Sequence, residues 1–403
     1  MQSADPISPP QPVLTTQLKD SIQSNETFPK DFLWGTAISA HQVEGDSRND
    51  WTIWESQRGS QSQSGKAADF YDRYEEDFEL ASQVLHNNSI RFSVEWARII
   101  PEEGKINQKE IDHYLKVFEA AKRQNLIPMV TLHHFTNPIW FAEKGGWTKR
   151  ENIRHFLDYV SICKEYFGTL ADYYVTINEP NVYASESYLH GAWPPQKKNP
   201  ILAYRVYRNL AEAHKKAYHI LGKDKPVGFS INMADYRGVP FIARPARWLF
   251  NYSFLKMTRG TYTYIGINYY RPVYVTPSLR EKRMRKSDFN WSIDSRGLYN
   301  VVMQTWKKYH LPIIITENGV SDSQDTLRPD FINEHLACLL EAIQNGADVR
   351  GYYYWSLYDN FEWAEGYKQK FGLFAIDFND PVLERLSRKS AELYGRIAKT
   401  GRP

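Results

Sequence analysis

From residue 27 onward the chain alternates two patterns of apolar and polar positions. Short runs of apolar or alternating residues read as buried strands, and longer stretches with apolar residues three and four apart read as helices packed on one face. The strand-like runs are FLWGTA (32–37), SIRFSV (89–94), IPMVTL (127–132), YYVTIN (173–178), PVGFSI (226–231), YIGINYY (264–270), PIIITE (312–317) and VRGYYYW (349–355). Helical pattern fills the intervals, as in NQKEIDHYLKVFEAAKRQN (107–125) and PDFINEHLACLLEAIQNG (329–346). In the latter, Ile332, Leu336, Leu339, Leu340 and Ile343 form one apolar stripe, and Gly346 supplies a stop. Eight strand–helix units without an internal linker predict an α/β fold, a single (β/α)8 TIM barrel over residues 27–403. A doubly wound sheet would carry a Gly-rich phosphate turn after an early strand, and neither G-x-G-x-x-G nor a Walker pattern occurs. Residues 1–26, rich in Pro, Ser and Gln, read as a flexible extension.

In such a barrel the chemistry sits at the C-terminal ends of the strands, so those ends carry the functional signal. The first strand runs into SAHQVEG, with Gln42, and the second contains Arg91. The third leads to His133 and His134, the fourth to Asn178 and Glu179, and the sixth to Asn268 and Tyr270. The seventh ends on Glu317, and the eighth on YWSLYDNFEWAEGY, with Trp355, Glu362 and Trp363. Two carboxylates on facing strands suit glycoside hydrolysis, in which one group donates a proton to the departing oxygen and the other is ionised. Arg91 and Tyr270 are the natural partners of an ionised Glu317. A strand-end Glu standing alone would more often be a solvated rim residue, and a lone Arg91 a structural ion-pair partner. Adjacent strand residues point to opposite faces, so His133 and His134 do not make a paired metal site.

Composition narrows the classes further. Aromatic residues make up 15% of the chain, suiting surfaces that must be apolar and hydrogen-bonding at once. The net charge of +3 is small, and the densest basic run, REKRMRKSD (280–288), reads as a solvated loop; no nucleic-acid partner is expected. The two cysteines build no disulfide framework or Cys-rich metal site and suit a reducing, cytoplasmic location. No 18-residue apolar span and no signal-peptide pattern occur, so no membrane partner is expected either. The oligomeric state stays open.

The motifs FPKDFLWGTAISAHQVEG, RFSVEWARIIPEEG, TINEP, IGINYY, ITENG and WSLYDNFEWAEGY together resemble glycoside hydrolase family 1, the β-glucosidase and β-galactosidase family. The likeness runs from Phe28 to about Tyr394. It implies a retaining, exo-acting β-glycosidase without metal or cofactor, acting on a β-glucoside or oligosaccharide. Glu179 would be the acid/base and Glu317 the nucleophile. Asn178 would bind the sugar 2-hydroxyl, while Gln42, His134, Glu362 and Trp363 would hold the other hydroxyls. Trp355 would form the floor under the ring, Phe371 would close the pocket, and Arg91, Asn268 and Tyr270 would surround the nucleophile. Relatives acting on 6-phosphorylated sugars resemble a different eighth-strand loop, with Ser and Lys where this chain has Glu362 and Trp363. That favours unphosphorylated glucosides, with galactosides and fucosides tolerated. The alternatives are a 6-phospho-β-glycosidase, a non-catalytic glycan-binding barrel, and a metal-dependent barrel hydrolase using His133 and His134. The chain departs from the family pattern at Phe135, at Thr263–Tyr264 and in a short segment, 232–263. The short segment is expected to leave the rim open on the leaving-group side or to expose part of the barrel wall.

Overall fold

The structure, a computed structural model, describes residues 27–59, 63–222 and 224–403. The extension expected over residues 1–26 lies outside the described residues. Eight parallel strands close into a barrel: β1 (Leu33–Ala37), β2 (Ser89–Ser93), β3 (Ile127–Thr131), β4 (Tyr173–Asn178), β5 (Val227–Asn232), β6 (Ile265–Tyr269), β7 (Ile313–Asn318) and β8 (Val349–Trp355). The strands follow one another around the ring in chain order, and β8 pairs back onto β1. Each expected strand is present, with no boundary displaced by more than one residue.

Helices cover the outside: α1 (Phe70–Glu79), α2 (Gln108–Arg123), α3 (Ile153–Phe167), α4 (Pro200–Leu221), α5 (Pro240–Arg247), α6 (Ser295–Tyr309), α7 (Arg328–Gln344) and α8 (Lys389–Thr400). The apolar stripe of α7 is buried at Ile332, Leu336, Leu339 and Leu340. Its stop works as expected, since Gly346 takes φ +89°, a left-handed conformation that glycine adopts without a steric penalty. Both cysteines are free and buried, Cys163 in α3 and Cys338 in α7.

Two apolar layers result from the strand alternation. Leu33, Ala37, Met129, Val175, Ile314, Tyr353 and Trp355 pack together inside the barrel with Tyr264 and Phe371, whereas Ile90, Phe92, Ile313 and Ile315 join the larger layer under the helices. Short segments outside the barrel escaped the sequence pattern. Asp235–Arg237 pairs in parallel with Pro272–Tyr274 beyond the ends of β5 and β6, and Phe374–Ala375 pairs with Leu386–Ser387. The short segment does not bare the wall, which corrects one of the two expectations for it. α5 continues through a π-turn (Trp248–Tyr252) into Ser253–Met257, where Phe254 and Leu255 are wholly buried and Phe254 lies 4.8 Å from the Phe229 ring of β5. The exposed apolar surface belongs to α5 and the start of the π-turn, at Phe241, Ile242, Trp248 and Leu249.

Pairing irregularities sit where the polar strand ends begin. Between β4 and β5 the partners step from Val175–Gly228 to Asn178–Ser230, an extra residue on β4. Between β6 and β7 they step from Ile267–Ile315 to Asn268–Glu317, an extra residue on β7, and β8 registers the same excess from Tyr352–Ile315 to Tyr354–Asn318. Ile313 and Ile315 pack outside the barrel, so strict alternation would send Glu317 outside with them. The bulge turns it inward. On β4, Thr176 faces outward onto His214 of α4, and the extra residue likewise brings Asn178 to the interior.

Candidate active site

The inward turn places Glu317 against a cation. Arg91, at the middle of β2, donates from Nη1 to Glu317 Oε1 at 2.6 Å and to the Thr316 carbonyl at 3.0 Å. Its other arms reach Asn178 Oδ1 at 2.7 Å and Thr131 Oγ1 at 3.1 Å, so the guanidinium is satisfied in a fully buried position. Tyr270 donates to the second oxygen, Glu317 Oε2, at 2.6 Å. Both oxygens of Glu317 therefore accept strong hydrogen bonds, which favours the charged carboxylate. Around it, Asn318 bridges the neighbouring strands, donating to the Tyr269 carbonyl and accepting from the Tyr352 hydroxyl. A Cβ on Gly319 would stand 1.9 Å from the Trp355 carbonyl, so only glycine lets the chain turn there.

Glu179 forms no ion pair among the described residues, and Arg91 acts on it more weakly than burial, Glu317 or its two amide donors. Its Oε1 accepts from Asn232 and Asn268, each at 2.9 Å. Asn268 is held in register by Thr316, whose hydroxyl donates to Asn268 Oδ1 at 2.7 Å, leaving the amide nitrogen for Glu179 and Asn178. The two amide donors favour ionisation, but burial and the neighbouring Glu317 charge outweigh them and push Glu179 up to about 8. The backbone explains the Glu–Pro junction. Glu179 takes a left-handed conformation (φ +42°), donates its N–H to the Ser230 carbonyl, and is followed by Pro180 as the first residue of a short helix. Phe135 (φ +73°) and Trp363 (φ +48°) share that unusual conformation on the same rim.

The other candidates gather on this rim. Asn178 uses Oδ1 for Arg91 and Asn268, so its amide nitrogen faces His134 Nε2 at 3.1 Å. His134 accepts there as a neutral imidazole, its pKa held well below the ordinary value by burial and Arg91. His134 lies between Trp355 and Trp363, with near-parallel rings about 6 Å away. Gln42 donates to the Phe361 carbonyl at 2.7 Å and lies 3.5 Å from Glu362. Burial and the neighbouring carboxyl groups, Glu317 ahead of Glu179, push Glu362 up to about 8, against the indole N–H of Trp355 and the Gln42 amide. Phe371 packs 6.2 Å from Tyr270.

His133 turns away from this group, as alternation requires, and packs among Trp147, Phe156 and Tyr183 outside the barrel wall. Among the described residues no cluster of three His, Cys, Asp or Glu could hold a metal ion. Three participants were not foreseen. Asn232 sits one residue past the fifth apolar run and carries no motif, and Phe289 and Trp291 arrive from a distant loop to back Tyr270 and Phe371. For Asn232 the strand end itself was the available signal.

The model of "Glycosyl hydrolase family 1" matches residues 24–241 and 249–402, and the chain belongs to that family. It is 30% identical to "Beta-glucosidase A" of Thermotoga maritima, over 92% of this chain and 98% of that protein. It is 29% identical to "6-phospho-beta-galactosidase 1" of Streptococcus pneumoniae, over 91% and 97%. Among solved structures, "beta-glycosidase from Pyrococcus horikoshii" superposes with a TM-score of 0.86 at 36% identity, covering 93% of this chain and 95% of that one. The chain is thus a glycosyl hydrolase, with a β-glucosidase and a 6-phospho-β-galactosidase among its relatives. No helix among the described residues is long and apolar enough to cross a membrane.

Proposed function

We propose that this enzyme is a retaining, exo-acting β-glycosidase that removes terminal β-D-glucosyl residues, with β-galactosyl and β-fucosyl tolerated. The observation that carries the reading is the contrast between the two glutamates. Glu317 is clamped by Arg91 and Tyr270, while Glu179 keeps its proton to about 8. Glu317 is then the ionised group that attacks the anomeric carbon, and Glu179 protonates the departing oxygen. Once the aglycone has left, Glu179 is a base: it takes a proton from water, which attacks the glycosyl–Glu317 ester and releases sugar with its β configuration restored. This sequence needs the two carboxyl groups about 5–5.5 Å apart when substrate is bound.

In this reading Asn178 meets the 2-hydroxyl, and Gln42, His134, Glu362 and Trp363 take the remaining hydroxyls. Trp355 lies under the ring, and Phe371 and Tyr270 enclose it. Glu362 argues against a 6-phosphate: a phosphate dianion needs cations, and this position offers an acidic group with two further carboxylates nearby.

The test is to follow the first-formed anomer by proton NMR and to add azide to two variants. Glu317→Ala with azide should give the α-glycosyl azide, because the anion attacks where the nucleophile stood. Glu179→Ala should give the β-glycosyl azide from the covalent intermediate. Release of the α-sugar by the wild type would overturn the retaining mechanism, and faster turnover of the 6-phosphorylated substrate would overturn the sugar assignment.

A further inference from the structure

We infer that the face formed by α5 and the connection after Tyr274 docks on an anionic lipid surface, beside the mouth of the barrel. Large apolar side chains stand in solvent here. Phe241 is 77% exposed, Leu249 51% and Trp248 45%, and on the adjoining connection Leu279 is 73% exposed. The helix is not loosely attached, since the chain runs from it through the π-turn into Ser253–Met257, where Phe254 and Leu255 are buried. The two protrusions belong together, because Asp235–Arg237 pairs with Pro272–Tyr274 and Val275 donates to the Arg237 carbonyl at 2.9 Å. They also border the site. Asn181, two residues beyond Glu179, donates to the carbonyls of Asn232 and Phe250, and Phe250 follows Leu249 directly.

Charge identifies the occupant. Residues 236–293 hold eleven Lys and Arg against Glu281 and Asp288, a surplus of nine, whereas the whole chain carries only +3 and the remainder is therefore acidic by six. Arg237 is engaged by Asp235 and Asp294, and Arg285 by Asp330 and Glu334. Arg244, Lys256, Arg280, Lys282 and Arg283 are exposed and have no acidic partner within ion-pair distance among the described residues. Lys256 lies 5.8 Å over the Trp248 ring, its ammonium beside the indole. Isolated aromatic and aliphatic tips among unpaired cations match the boundary between acyl chains and anionic headgroups. A symmetric pairing of two copies through this face would instead oppose two basic surfaces. Lying on a bilayer and spanning one are separate properties, so the lack of a spanning helix does not conflict with this.

Vesicle co-flotation of the full chain tests the inference independently of the catalytic reading. Phosphatidylcholine vesicles are used with and without phosphatidylglycerol, at low and high salt. Binding should require the anionic lipid. The double variant Phe241→Ser/Trp248→Ser should lower partitioning about 10-fold or more, and Arg244→Gln/Lys256→Gln should lower it further at low salt than at high salt. All variants should hydrolyse a soluble aryl β-glucoside as the wild type does, because none of these side chains touches the site. The inference is overturned if the wild type ignores anionic vesicles at low salt, or if the apolar double variant binds them equally. It is also overturned if sedimentation velocity shows a dimer that Trp248→Ser dissolves, since a second copy would then own this face.

Discussion

Glu179 and Glu317 are the same residue at the ends of two strands of one barrel, and both are almost fully buried. Their surroundings differ in a single respect that decides their chemistry. Glu317 has a guanidinium and a phenol on its two oxygens, while Glu179 has two neutral amides on one. An uncompensated carboxylate is costly to bury, so Glu179 keeps its proton, whereas Glu317 has a buried counter-ion. The comparison teaches that burial does not set acid or base character in this site. What distinguishes the two is which neighbour supplies charge.

Removing the groups themselves should break the symmetry most. Glu317→Gln should lose about 10⁴-fold or more in kcat on every glycoside, because no covalent route remains. Glu179→Gln should lose about 10²–10⁴-fold on alkyl glucosides and much less in bond cleavage on nitrophenyl glucosides, whose leaving group needs no proton. Pre-steady-state release of nitrophenol would register this difference. Equal losses in both variants with both substrates would show that the roles are not divided.

Next in size is Arg91→Met. It strips the buried counter-ion from Glu317 and a donor from Asn178, and breaking a buried pair typically costs about 3–5 kcal/mol. A large fall in Tm together with a fall in kcat is expected in the free enzyme. A variant that kept its Tm would show that Arg91 serves substrate alone.

How much of this could be read from the chain follows from the range of each interaction. Strands and helices were legible because apolar periodicity is local, and β1 to β8 lie where the alternation places them. Strand ends carried Glu179, Glu317 and Asn268, and the second strand carried Arg91, all within recognisable motifs. The bulges were not legible. The extra residues on β4 and β7 leave no compositional mark, yet without them Asn178 and Glu317 would face the helices. Asn232 was equally silent, since a single Asn past a strand reads as a turn residue until its neighbour across the sheet is known. The apolar tips of α5 were read within a short segment, and that Phe254 would bury while Phe241 would not depends on where the helix meets the wall.

The proton on Glu179 offers a finer test. Its folded-state pKa of about 8 lies above the ordinary 4.5, so the folded chain holds a proton that the unfolded chain releases between those values. Stability should therefore fall as pH rises from 4.5 toward 8, and Glu179→Gln should gain in Tm relative to the wild type at pH 8 compared with pH 4.5. Activity on alkyl glucosides should fall along an alkaline limb near pH 8 as the acid is lost. In Glu317→Gln the like charge disappears, and carbon-13 NMR of the Glu179 carboxyl should show it titrating lower than in the wild type. An unchanged titration would mean that burial alone holds the proton.

The smallest expected effect isolates one hydrogen bond. Asn232→Ala removes an amide donor that favours the ionised form of Glu179, leaving Asn268 as the remaining donor on Oε1. A hydrogen bond to a charged group contributes about 1.5–3 kcal/mol at most, and part of it returns if water enters the gap. The alkaline limb of kcat/KM should then move upward by about one pH unit, with kcat near neutrality changed only slightly. A hydrogen bond lost from a merely structural Asn would lower Tm and leave the limb in place. A limb that moved downward would mean that Asn232 holds the protonated form, and the assignment of Glu179 as an acid shaped against its amide donors would have to be reversed.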